Sequence, residues 1–131
     1  MINPKYNLIY SSSLFSIPCI YGIYKGKYFL STCSFISMTA SINYWINPIT
    51  GPIKTIDLYT SKICGLIYFI NGYIDIKNEL TRILGYTNGI FILSAFNTSC
   101  ILHFMNSDSW EIYHVLFHVF TVIGKMIVLS I

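Results

Sequence analysis

Charge is what this 131-residue chain has least of: Asp, Glu, Lys and Arg make up 10% of it. A soluble domain carries roughly 25%, so water is not the solvent expected for most of this surface. Alanine is nearly missing, at Ala40 and Ala95 only. That is the codon bias of an AT-rich genome, with no bearing on mechanism. There is no Gly-rich phosphate loop, no Ser-His-Asp order and no CxxC. Nucleotide-binding, serine-hydrolase and thiol-redox chemistry therefore have no motif to stand on. The four cysteines, Cys19, Cys33, Cys64 and Cys100, all fall inside apolar runs and read as small buried hydrophobes. The net charge of +3 is small, and the eight Lys and Arg are scattered singly, so nucleic acid is not an expected partner. A basic n-region is also absent, and "PCIYG" is a poor cleavage site, so no cleaved leader is expected.

What is present is apolar. Hydrophobic residues make up 54% and aromatics 17%, with a mean hydropathy of +0.61. The expected fold is an all-α integral membrane protein, a single domain with a bundle of about five transmembrane helices. A spanning helix needs about 20 apolar residues, and five runs approach that length: 7–24, 28–46, 54–74, 82–105 and 110–131. They are separated by "KGK", "NPITGP", "DIKNE" and "NSDS", whose Pro, Gly and charges stop helices. Ser109 or Asp108 is placed to cap the last run, with Glu111 in its first turn. Because the connections are short, successive helices are expected to be antiparallel neighbours. Lys25, Lys27, Lys77, Arg82 and Lys125 lie toward one side and Lys5 and Lys54 toward the other. That bias favours an outside N-terminus and a cytoplasmic C-terminus in a multi-pass membrane protein.

Ionisable groups inside a membrane segment are functional candidates. Alternating direction brings Ser41, Asn43, Trp45, Asp57, His103, Glu111, His114 and His118 to one end of the bundle, within roughly 12 Å in depth. Glu111, His114 and His118 follow i, i+3, i+7 spacing and Lys125 prolongs the stripe. A polar stripe on an apolar helix is expected to face the bundle interior. The histidine pair in "HVLFH" can share one metal ion, with His103, Glu111 or Asp57 as further ligands, or it can serve interhelical hydrogen bonding. Tyr44, Trp45, Trp110 and Tyr113 read as an interfacial aromatic belt. Lys62 is not spaced to pair with Asp57 and is expected to reach a carboxylate or carbonyl on a neighbour.

The order of a serine late in one helix ("SINYW"), an aspartate early in the next ("KTID") and "YHVLFHVFTVIG" in the last resembles the CREST superfamily of membrane hydrolases. That group includes the alkaline ceramidases and the progestin and adiponectin receptors. The resemblance covers mainly residues 41–57 and 110–124. It implies that Ser41 and Asp57 are catalytic, orienting water and stabilising charge. It also implies that His114 and His118 bind zinc, whose water attacks a lipid amide or ester. The family's first motif is Ser-x3-His, and here Trp45 stands in the histidine position. The chain also has five segments rather than seven. A third ligand must therefore come from His103, Glu111 or Asp57.

Two secure ligands are one short of a catalytic zinc site. The expectation is therefore a non-catalytic membrane component, structural or partner-binding, without a cofactor. Its partners would be membrane lipids and proteins or further copies of itself. A zinc-dependent lipid hydrolase is the alternative. A small ion or proton channel along the Glu111–His114–His118–Lys125 stripe is the third.

Overall fold

A computed structural model describes residues 3–131, and the described chain is helical with no strand. Six helices occur: α1 (Tyr6–Ser13), α2 (Ser16–Tyr24), α3 (Tyr28–Ile46), α4 (Pro52–Asp75), α5 (Glu79–Phe104) and α6 (Trp110–Leu129). The first expected segment is thus not one helix. Pro18 has no N–H to give the Leu14 carbonyl, and its ring crowds that carbonyl. The chain tightens instead, with Leu14 and Phe15 bonding to Ser11 and Ser12 three residues back.

The other boundaries have local causes. Gly26 takes φ +72° in the turn between α2 and α3, a conformation open to glycine at little cost. Pro48 stops α3, and Pro52 opens α4 at the position where its missing N–H costs nothing. Asn78 caps α5 by accepting the Thr81 N–H at 2.9 Å. Ser109 sits at the N-cap of α6 but makes no capping bond through its side chain. Its own N–H instead faces the Ser107 hydroxyl at 3.4 Å.

Helix α6 is the hub, touching α1, α2, α4 and α5, while α3 holds α1, α2 and α4 together. The α5–α6 hairpin is antiparallel: Ser99 meets Trp110 and Asn88 meets Phe120. Gly124 lets the two backbones close up there, since a Cβ would lie 2.8 Å from Asn88 Nδ2. An apolar cluster of Leu30, Cys33, Cys64, Tyr68, Val128 and Leu129 ties α3, α4 and α6 at one end. Tyr68 is anchored there by hydroxyl contacts to Ser34 at 2.7 Å and the Leu30 carbonyl at 2.8 Å.

One expected pairing is missing. Helices α4 and α5 share a short turn yet have no extended packing. Tyr68 draws α4 onto α3, Asn88 draws α5 onto α6, and Gly65, Gly85 and Gly89 put nothing between them. A cleft of about 530 Å³ is left, floored by α6. Lys62 also departs from expectation: it is exposed and bonds to no neighbouring helix.

By length and composition one described helix, α6, is apolar enough to cross a membrane, with a mean hydropathy of 1.8 in its best window.

Candidate functional site

The sequence places small hydroxyls where the helices meet. On α3, Ser31, Ser34, Ser37 and Ser41 repeat at three- and four-residue spacing, and all are buried. That spacing puts them on one face. Ser11 and Ser12 of α1 are buried beside them. Ser12 Oγ donates to the Leu8 carbonyl at 2.7 Å, so the 2.8 Å contact with Ser41 is one it accepts. Ser41 is thus part of the α1–α3 seam.

His118, 3% exposed, points into the bundle from α6 and meets Ser11 Oγ through Nδ1 at 2.7 Å. Ser11 Oγ also reaches the Leu8 carbonyl at 3.2 Å, and which atom donates in the shorter contact to Nδ1 depends on the tautomer of the ring. One turn back, the His114 ring lies edge-on to His118 at 4.9 Å between centroids. His114 Nδ1 is 3.5 Å from Ser99 Oγ, a long contact, because that hydroxyl donates to the Trp110 carbonyl at 3.0 Å. The other face of His114 meets the Trp45 indole at 5.2 Å. His118 continues the column through Phe15, 5.3 Å away.

Trp45, His114 and His118 are therefore brought together, with Ser41 joined through the Ser11–Ser12 pair. The other expected residues are employed elsewhere. Glu111 pairs with Lys5 at 2.7 Å, an ion pair at the bundle end. His103 is exposed and stacks edge-on against Trp110 at 5.0 Å. Asp57 is half-buried, with one carboxylate oxygen buried and unbonded. Among the described residues no three His, Cys, Asp or Glu side chains gather closely enough to hold a metal ion. The donor set also fails on chemistry. The group beside His114 is an indole, whose nitrogen offers only a hydrogen, and Trp45 Nε1 is buried with no acceptor. Three protein ligands are needed for a catalytic zinc, and these residues do not fit one.

Serine and asparagine supply the partners that no motif marks. Ser11, Ser12, Ser99 and Asn88 supply the partners for His118, Ser41, the Trp110 carbonyl and the Phe120 carbonyl. The signal was present in the spacing of the α3 serines and in "SSS" at 11–13. Lys125 completes the stripe on α6: it is 3% exposed, and its Nζ has no hydrogen-bond partner. That ammonium lies 4.4 Å from the Phe15 ring centroid and 5.2 Å from that of Tyr68, so aromatic faces stand in for a counterion.

No family model, curated protein or solved structure matches the chain.

Proposed function

We propose that the chain is a multi-pass membrane protein that acts without catalysis, as a structural or partner-binding component. Its five segments would be α1 with α2, then α3, α4, α5 and α6. The observation that carries this reading is an inverted distribution of side chains. Ten polar or charged residues, seven of them serines, are buried, whereas 37 large hydrophobic side chains are exposed among the described residues. Soluble monomers rarely expose contiguous apolar patches beyond a few hundred Å², and here apolar side chains line every helix. Membrane interfaces between helices favour small residues and interhelical hydrogen bonds instead. The same inward serines, tyrosines and asparagines lower the average hydropathy of α3, α4 and α5, although their outward faces are Ile, Leu and Phe. Lys62, exposed well inside α4, is accommodated by snorkelling its apolar stem along the helix.

In this reading His114 and His118 are interhelical glue, and lipids and further membrane chains are the partners. The N-terminus lies outside and the C-terminus in the cytoplasm, as the Lys and Arg bias favours. The test is extraction and labelling. The chain should stay with membranes in alkaline carbonate. Single cysteines in 47–51 and 106–109 should label from one side, and those in 25–27 and 76–78 from the other. Release by carbonate, or labelling of 47–51 and 106–109 from opposite sides, would overturn the arrangement.

A second reading, a zinc hydrolase of CREST type, draws on the adjacency of His114 and His118 to the position that the family's first histidine occupies. It requires stoichiometric zinc in the purified chain, lost on His114→Ala. The reading proposed here expects zinc well below one per chain.

A further inference from the structure

The α4–α5 cleft joins two features that no role above uses: a sealed ammonium without a counterion and an open apolar trough beside it. The α4 wall runs from Ser61 to Ile76, roughly 22 Å of helix at 1.5 Å per residue. Gly65 lies on that wall and Gly85 and Gly89 on the α5 wall. A Cβ added at any of the three would touch nothing within 4 Å. Lys125 belongs to the floor and Arg82 to the end nearest the α4–α5 turn. No Asp or Glu lines the cleft among the described residues. Arg82 is bonded only to the Ile76 carbonyl, at 2.9 Å, and Lys27, outside the cleft lining, only to the Val128 carbonyl, at 3.2 Å. Asp75 and Glu79 flank the turn, but neither forms an ion pair with these cations.

We infer that this cleft binds one anionic phospholipid, its phosphate at Arg82 and Lys125 and one acyl chain along the glycine-lined trough. The inference rests on the membrane reading above. Charge complementarity selects the head: two cations and no carboxylate line the site, and both cations lie toward the bundle end that carries Lys25, Lys27 and Lys77. Basic pockets between membrane helices on the positively charged side recognise anionic lipid heads. Size selects the tail. A spanning helix about 10 Å across and 30 Å long fills roughly 2,000 Å³ or more. The cleft holds about 530 Å³, which suits a small ligand and not a second helix. The trough extends from the cations past mid-bundle, its wall of roughly 22 Å covering about three-quarters of a hydrocarbon core about 30 Å thick. The four-carbon stem of Lys125 lets Nζ swing from the Phe15 and Tyr68 rings to the phosphate, exchanging a cation–π contact for an ion pair.

The test counts lipids. The full chain in maltoside micelles is offered equal phosphatidylglycerol and phosphatidylcholine of matched chains, and bound lipid is read by native mass spectrometry. One phosphatidylglycerol per chain should be preferred. Arg82→Gln and Lys125→Met should each lower that preference about fivefold. Gly89→Leu should fill the trough and remove most bound lipid of both kinds. Lys54→Gln, at the opposite end, should change nothing. An unchanged preference in Arg82→Gln, an equal fall in Lys54→Gln, or a full lipid complement in Gly89→Leu would overturn the site. So would a disulfide between two copies formed through Gly89→Cys, which would put a second chain in the cleft. A micelle-stable chain with no headgroup preference defeats the lipid site alone, whereas carbonate release defeats the membrane reading itself.

Discussion

His118 Nδ1 and Ser11 Oγ meet at 2.7 Å across the contact between the last helix and the first. The imidazole is 3% exposed and the hydroxyl 4%, so neither has water to turn to if the other is lost. A contact joining residues 107 apart in sequence holds the two ends of the chain together, and its cost and worth can be measured.

Ser11→Ala strands His118 Nδ1 in a buried seam. The loss should be about 1 to 2 kcal/mol, between the net worth of an interhelical hydrogen bond and the penalty of a buried unpaired polar atom. Denaturant unfolding in micelles reads it. Replacing both partners, Ser11→Ala with His118→Leu, should cost less than the two single changes added together. Strict additivity would mean that the two groups do not interact.

The glycines divide into two kinds by what surrounds them. At Gly124 a Cβ would lie 2.8 Å from Asn88 Nδ2, and that amide can move only by giving up its 2.9 Å bond to the Phe120 carbonyl. Gly124→Ala should destabilise α5–α6 packing by about 1 to 2 kcal/mol. Gly85 has open space around it, so Gly85→Ala should gain about 0.5 to 1 kcal/mol from helix propensity. Thermal denaturation of both variants in the same detergent separates the two kinds, and a reversed order would refute the packing described.

Lys125→Met should stabilise the chain in a detergent free of anionic lipid. Burying an unpaired ammonium costs several kcal/mol even after relaxation, and cation–π contact with Phe15 and Tyr68 returns only about 2. The net gain expected is about 1 to 2 kcal/mol, seen as a higher midpoint of thermal unfolding. A lower midpoint would mean that the ammonium has a partner or that the aromatic faces compensate it fully.

The helices were legible because Pro48, Pro52, Asn78 and the apolar runs act locally, within a few residues of the boundaries they set. The kink between α1 and α2 was equally local, through Pro18, but a single proline inside a long apolar run also reads as a bend within one helix. That α4 and α5 would not pack was not legible. It follows from Tyr68 bonding α3 and Asn88 bonding α6, partners remote in sequence. For the site, spacing alone put Glu111, His114, His118 and Lys125 on one stripe of α6. It could not say that Lys5 takes Glu111 or that Ser11 takes His118, because those partners come from α1 and the residues before it. Histidines and carboxylates draw the eye as ligands, while the serines that bond them look like filler.

Trp45 offers the sharpest test of what the histidine-bearing end of the bundle was built from. Its indole lies 5.2 Å from the His114 ring and 6.0 Å from that of Trp110. The backbone before α1 is tied to it, with the Lys5 N–H donating to the Trp45 carbonyl at 3.0 Å. The position is therefore fixed, and only the side chain lacks a metal-binding atom. Trp45→His supplies a third imidazole beside His114 and His118, the minimum protein donor set for a zinc ion with an open position. If the bundle shares the CREST scaffold, the variant should take up close to one zinc per chain, removable by chelator. It should also be more heat-stable with zinc than without, since a metal that binds only the folded state stabilises it. Trp45→His combined with His118→Ala should bind none. The parent chain, with two imidazoles and an indole, should stay well below one per chain throughout. Failure of Trp45→His to bind zinc, in a variant that still folds, would place the three side chains too far apart or wrongly turned, and would remove the resemblance as a guide to this protein.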